Sequence, residues 1–267
     1  MLKIGILGVG TIGKILATSL DRKQVEAQLV AISDQDCERA KALSSRLSCH
    51  PAVVSVEEMI ERSELAVEAA SQAALASFVP KALARGRDML IMSVGGLLGH
   101  EDWFREATEK RCRIYVPSGA IAGLDGIKSA SVGRLDSAVL TSRKPVAALR
   151  GTKYVVDKGL PVDTFKEETV IFEGSAEEAT RAFPTTSNVA ASLRLAVNPA
   201  IPVCVRVVAV PGGQKNVHEI RVQGEFGCLT STIENVPSKE NPRTSQLAAF
   251  SAIATLANLT RSLRVGT

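Results

Sequence analysis

Lys3-Ile4-Gly5-Ile6-Leu7-Gly8-Val9-Gly10-Thr11-Ile12-Gly13, near the start of the chain, joins a short apolar run to a glycine-spaced turn. Leu2 to Leu7 reads as a buried strand. Ile12, Ile15, Leu16 and Leu20 then recur at helical spacing, so the turn runs straight into a helix. Between them Gly8, Gly10 and Gly13 spell G-x-G-x-x-G, and each glycine has a task in a dinucleotide site. Gly8 allows the sharp turn, Gly10 clears space for a pyrophosphate, and Gly13 lets the helix lie close to the strand. The helix N-terminus offers free N–H groups and a positive dipole end to phosphate. Gly8, Gly10, Thr11, Ile12 and Gly13 are therefore candidate cofactor contacts.

The second apolar run, Leu29 to Ile32, leads to Asp34, 21 positions after Gly13 (34 − 13). An acid at that distance suits the adenosine ribose hydroxyls. The plainer reading makes Asp34 a cap for a helix from Asp36 to Leu47. Gln35 and Asp36 follow it, with no arginine directly after. A carboxylate there repels a ribose phosphate, so NAD is expected to be preferred over NADP.

The 267 residues are 45% hydrophobic but only 4% aromatic, a composition that suits an aliphatic parallel sheet covered by helices. The net charge of +4 comes from 32 basic and 28 acidic residues spread along the chain, without the basic block that nucleic acid requires. Five cysteines without a C-x-x-C pair indicate neither a disulfide framework nor a zinc site, and buried free thiols in the cytoplasm are the expectation. The apolar start resembles a signal peptide superficially, but its glycines and the helix after them favour the nucleotide reading. No uncharged run is long enough to span a membrane.

Strands and helices alternate through about Pro117, which predicts a doubly wound, Rossmann-type parallel sheet. From Asp136 the strands lengthen and alternate in polarity, which predicts a second α+β domain on a mostly antiparallel sheet. The expected domains are 1–120 for the dinucleotide and 121–240 for substrate and dimerisation. A helix from Thr244 to Arg264, with Leu247, Phe250, Ile253, Leu256, Leu259 and Leu263 on its apolar side, is expected to pack back on the first domain. An open sheet in the second domain needs cover, so a homodimer is expected.

Ligands of such folds sit beyond the carboxyl ends of the strands. Ala70-Ser71-Gln72, Ser93 to Gly96 and Ser118-Gly119-Ala120 end strands there, either as cofactor walls or as ordinary tight turns. Of the three histidines, His50 and His100 read as surface residues, the latter as a helix cap. His218 shares the apolar side of a strand with Ile220 and Val222, as a core residue or as a catalyst. Arg143 and Lys144 end a strand after Thr141 and Ser142, and two cations there suit an anionic substrate or a solvated strand end. Asn188 reads first as a helix cap.

Taken together the motifs resemble the L-aspartate dehydrogenase family of NAD biosynthesis. The matching pieces are Gly8 to Gly13, Glu68 to Gln72, Ser118 to Asp125, Thr141 to Lys144, Ile171 to Ala176, Phe183-Pro184 with Asn188 to Ala191, Asn216 to Ile220, Gly224 to Gly227 and Glu240 to Ser245. The resemblance implies that His218 is catalytic and that Ala122 and Asn188 contact NAD. Ala120 is a second candidate for the nicotinamide. Asn216 joins Arg143 and Lys144 as a candidate substrate contact. The implied reaction oxidises L-aspartate to iminoaspartate, or onward to oxaloacetate and ammonia, with NADP also accepted in some members. Sugar dehydrogenases and dihydrodipicolinate reductases share the first-domain layout. Ser93-Val94-Gly95 replaces the Glu-Lys-Pro of the former, and the adjacent histidines of the latter are missing. A non-catalytic NAD sensor would keep the glycines and Asp34 without needing His218.

Overall fold

The computed structural model describes residues 1–184, 187–236 and 245–266. Thr185-Thr186, the Glu240 to Thr244 part of the last motif and the expected start of the final helix at Thr244 lie outside the described residues. The chain divides into two compact units, Met1–Pro117 with Ala249–Arg264, and Ser118–Ala248.

The first unit is a six-stranded parallel sheet of β1 (Leu2–Leu7), β2 (Ala27–Ser33), β3 (Ala52–Val53), β4 (Leu65–Glu68), β5 (Asp88–Ile91) and β6 (Ile114–Tyr115), in the order β3-β2-β1-β4-β5-β6. Its crossovers carry α1 (Thr11–Asp21), α2 (Cys37–Ser44), α3 (Val56–Arg62), α4 (Gln72–Ala84) and α5 (Glu101–Glu109). A sheet covered on both faces wants apolar side chains throughout, and Ile4, Ile6, Leu65, Val67, Met89, Leu90 and Ile91 are all buried. The helices start where side-chain oxygens satisfy free N–H groups: Asp36 accepts from Arg39 N, Ser55 from Glu58 N and Ser71 from Ala74 N. Asp36, not Asp34, is thus the cap of α2. Pro80 lies exposed inside α4, which runs on past it.

The second unit begins with α6 (Leu124–Ala130) and the long β7 (Leu135–Pro145), followed by α7 (Val146–Leu149), α8 (Lys153–Asp157), β8 (Thr169–Ser175), α9 (Ala176–Ala182), α10 (Asn188–Ala196), β9 (Val203–Val210), β10 (Asn216–Gly224) and β11 (Gly227–Asn235). The five strands order as β11-β10-β7-β9-β8, with β7 and β9 parallel and the other neighbours antiparallel. Alternation splits the sheet cleanly. Leu140, Ser142, Lys144, Val205, Val207, His218, Ile220 and Val222 are buried on one face. Val139, Thr141, Arg143, Arg206, Glu219 and Arg221 on the other are half-buried or exposed.

The last helix, α11 (Gln246–Thr260), puts Ala252, Leu256 and Ala257 into the core of the first unit beside Ile4, Leu16, Leu29 and Val67. Its buried face matches the expected one in Leu256, with Ile253 and Leu259 packed against the core, but the helix ends at Thr260, short of Leu263, and does not bury Phe250. Phe250 is 51% and Leu263 75% exposed, while Ala249 and Ala252 are fully buried. Small side chains let this helix lie close to its neighbours, which the spacing of large residues alone does not indicate. The cysteines differ too: Cys37, Cys49 and Cys228 are exposed, Cys204 is half-buried and only Cys112 is buried, all of them free. No helix among the described residues is long and apolar enough to cross a membrane.

Candidate active site

The glycine turn has the shape its sequence calls for. Gly8 sits at φ +88°, and a Cβ there would meet Ala69 O at 2.7 Å. A Cβ on Gly13 would stand 1.8 Å from Gly8 O, so only glycine lets α1 approach β1 this closely. Gly10, the N-cap of α1, faces open space and carries no side-chain cap. The half-buried Thr11 and Ile12 open the helix behind it. An open, uncapped helix N-terminus over a bare backbone fits a pyrophosphate.

Asp34, at the end of β2, closes on this turn. Its Oδ2 accepts from Val9 N at 2.7 Å and its Oδ1 from Asp36 N at 2.9 Å. Arg39, from the first turn of α2, donates to Oδ1 at 2.6 Å. An arginine is thus present at Asp34 after all; helix geometry delivers it from five positions on, where reading only the next residues misses it. Burial opposes ionisation of Asp34, but these three donors outweigh it and hold the carboxyl below its usual range.

On the other side of β1, Glu68 ends β4 fully buried and braces two of the candidate walls. It accepts from Ala70 N at 2.8 Å, from Ser93 N at 3.0 Å and from Ser93 Oγ at 2.8 Å. Burial raises its pKa against the pull of these bonds. Ala70 and Ser71 are exposed and Gln72 half-buried, whereas Ser93 is buried in the brace. The first unit therefore brings Gly8, Gly10, Thr11, Ile12, Gly13, Asp34, Ala70, Ser71, Gln72 and Ser93 to the carboxyl ends of adjacent strands.

In the second unit the buried face of the sheet carries a polar cluster. His218 pairs across strands with Ser142, and its Nδ1 lies 2.9 Å from Ser142 Oγ. Lys144, two residues along β7, shares that face and is 6% exposed, next to Ala209 of β9. It makes no ion pair among the described residues. Asn216, two residues before His218 on β10, has a buried Oδ1 without a hydrogen-bond partner. Its strand partner Asn235 is buried and donates from Nδ2 to Ala120 O at 3.0 Å, tying the Ser118 to Ala122 segment to this end of the sheet.

Arg143 does not join them. Neighbours on a strand point to opposite faces, and Arg143 instead pairs on the other face with Glu168 at 3.3 Å and Glu219 at 3.5 Å. Asn188 is the first residue of α10 and its cap position is Ser187, so capping does not account for it. Ala122 is half-buried just before α6. His50 is exposed; His100, 41% exposed, makes no cap bond and stacks on Trp103 at 3.6 Å.

A family model described as "Aspartate dehydrogenase, C-terminal" matches residues 125–259, and the NAD-binding domain of homoserine dehydrogenase matches residues 8–117. The chain is 46% identical over 270 residues to an L-aspartate dehydrogenase of Methanocella arvoryzae and 44% identical over 271 residues to one of Methanosarcina barkeri, with all of each chain covered. The chain belongs to the aspartate dehydrogenase family. The aspartate dehydrogenase structure of Thermotoga maritima superposes with a TM-score of 0.75 at 26% identity, covering both chains fully. A scyllo-inositol dehydrogenase of Lactobacillus casei, at 14% identity and a TM-score of 0.55 over 96% of this chain and 87% of its own, shares the fold alone.

For an aspartate dehydrogenase the electrostatics of the polar cluster are apt. Burial lowers the Lys144 pKa to about 8, and burial reinforced by the Lys144 charge lowers that of His218 to about 3. The imidazole is thus neutral at pH 7. In the tautomer that carries its proton on Nδ1 and donates it to Ser142 Oγ, Nε2 is the acceptor. Arg39, Glu68, Ser142 and Asn235 were not singled out as site residues from the sequence. Ser142 and Lys144 had a readable signal, since residues two apart on a strand share a face. Asn235 had none.

Proposed function

We propose that this protein oxidises L-aspartate to its imine with NAD as hydride acceptor, the first unit holding the dinucleotide and the second the amino acid. The observation that carries this reading is a buried lysine without an ion-pair partner among the described residues, on the same sheet face as a histidine that burial keeps neutral. A buried cation is costly unless something anionic answers it, and a substrate carboxylate does so. Burial is the larger cause that disfavours imidazolium and the Lys144 charge the smaller, and the anion offsets the latter, so substrate binding favours protonation of His218. The substrate ammonium must lose a proton before its lone pair can form the C=N bond, and His218 Nε2 is the base. Gly8, Gly10, Thr11, Ile12 and Gly13 would cradle the pyrophosphate, and Asp34 the adenosine ribose. Of the expected substrate contacts, Lys144 and Asn216 are kept, while Arg143 belongs to the opposite face.

Several further assignments belong to this reading. The charged, half-exposed sheet face around Arg143 and Glu219 is where we place a homodimer contact. Five free thiols suit a cytoplasmic setting, and iminoaspartate suits a role in NAD biosynthesis. NADP acceptance follows from Arg39, which can turn from Asp34 to a ribose phosphate. The test is NADH absorbance with NAD and a panel of amino acids, run on the wild type and on His218→Ala. Aspartate should be oxidised, and the variant should lose about 10²–10⁴ in turnover with NAD binding retained. Wild-type turnover in the variant would return His218 to a core role.

A further inference from the structure

The proton transfer above gives the buried oxygen of Asn216 no stated part. Asn216 lies one strand step pair from His218 on β10, on the face that Ser142 and Lys144 share. Its Oδ1 is enclosed and accepts no hydrogen bond among the described residues. An enclosed acceptor without a donor costs free energy that the folded chain does not recover by itself. The three polar side chains that share its face divide the available roles. Lys144 offers only donors, and Ser142 is taken up with the imidazole at 2.9 Å. With the imidazole proton on Nδ1 toward Ser142, His218 Nε2 and Asn216 Oδ1 are the acceptors of this cluster that the described residues leave open.

We propose that Asn216 Oδ1 receives an N–H of the substrate's α-ammonium group while His218 Nε2 receives another, so that Asn216 selects α-amino acids over their hydroxy and unsubstituted analogues. This inference rests on the aspartate reading above. The counting is simple. An ammonium nitrogen has three N–H bonds: one proton passes to Nε2, and one of the two N–H bonds of the resulting amine stays donated to Oδ1. A hydroxyl has a single O–H, which cannot both bind Oδ1 and be given up to Nε2. A methylene in the same place gives neither. A site built around such an acceptor penalises the analogue that leaves it unpaired.

The experiment compares wild type with Asn216→Leu, which removes the acceptor while keeping the number and branching of the side-chain heavy atoms. Two quantities are read: the KM for L-aspartate, and the inhibition constant of succinate, a dicarboxylate of the same length without the amine. Aspartate KM should rise about 10- to 100-fold, the range expected for one charge-assisted hydrogen bond. Succinate inhibition should hold or tighten and the melting temperature should hold or rise, because the variant no longer leaves an enclosed acceptor unpaired. If aspartate and succinate both weaken, or the aspartate KM does not move, or the variant fails to fold, Asn216 is a structural residue and the assignment falls. A wild type that does not oxidise aspartate at all sinks the aspartate reading itself, and that outcome is visible before any variant is made.

Discussion

Lys144 shows how a residue chosen for chemistry weighs on stability. Its pKa falls from 10.5 unfolded to about 8 folded, a difference worth roughly 3 kcal/mol at about 1.4 kcal/mol per unit. Below pH 8 both states are charged and the folded state bears that cost. Between pH 8 and 10.5 the unfolded chain holds more protons, so stability recovers as pH rises. Lys144→Met should therefore be more stable than wild type by up to about 3 kcal/mol at pH 7, with the gap closing toward pH 10.5, while aspartate oxidation collapses. Denaturant unfolding at a series of pH values measures it, and a variant less stable at pH 7 would show that Lys144 has a hidden partner. Asp34 offers a second test. Asp34→Ala removes the acceptor of Arg39 and frees its guanidinium, so the NAD to NADP ratio of kcat/KM should shift about tenfold or more toward NADP. An unmoved ratio would mean that neither residue faces the ribose.

Among the elements, the strand ends of the first unit stand out because one carboxylate joins them. Glu68 accepts from the backbone of Ala70 and from both the backbone and hydroxyl of Ser93. An amide keeps only one acceptor oxygen and adds donors where none is wanted. Glu68→Gln should cost about 1–3 kcal/mol of stability and weaken NAD binding by about tenfold, read by titration of the bound dinucleotide. Unchanged affinity would mean that the two walls hold their places without the brace. The strand and helix runs around it were legible in the chain. β1 and α1 fall where periodicity puts them, because buried parallel strands and amphipathic helices write their partners into their apolar spacing. Glu68 was readable only as part of a motif, since its three donors come from residues up to 25 positions away.

At the scale of the whole molecule, the chain leaves the first unit at Pro117 and returns to it at Ala249. The returning helix is part of that unit's core and not a trailing appendage. Leu256→Ala, at a side chain 1% exposed, should destabilise by about 2–5 kcal/mol. Phe250→Ala, at 51% exposure, should change little by comparison. Equal losses from the two would reverse the assignment of the buried face.

The sequence by itself determined the two-part plan, the dinucleotide turn with its spaced glycines, and the placing of His218 on an apolar strand side, because these depend on local periodicity and on steric demands that neighbouring residues state openly. Only the tertiary structure decided that Lys144 and not Arg143 stands with His218, that Arg39 reaches Asp34, and that Asn216 keeps an unpaired oxygen. Those facts depend on strand register and helix rotation, which bring together side chains that the linear chain keeps apart.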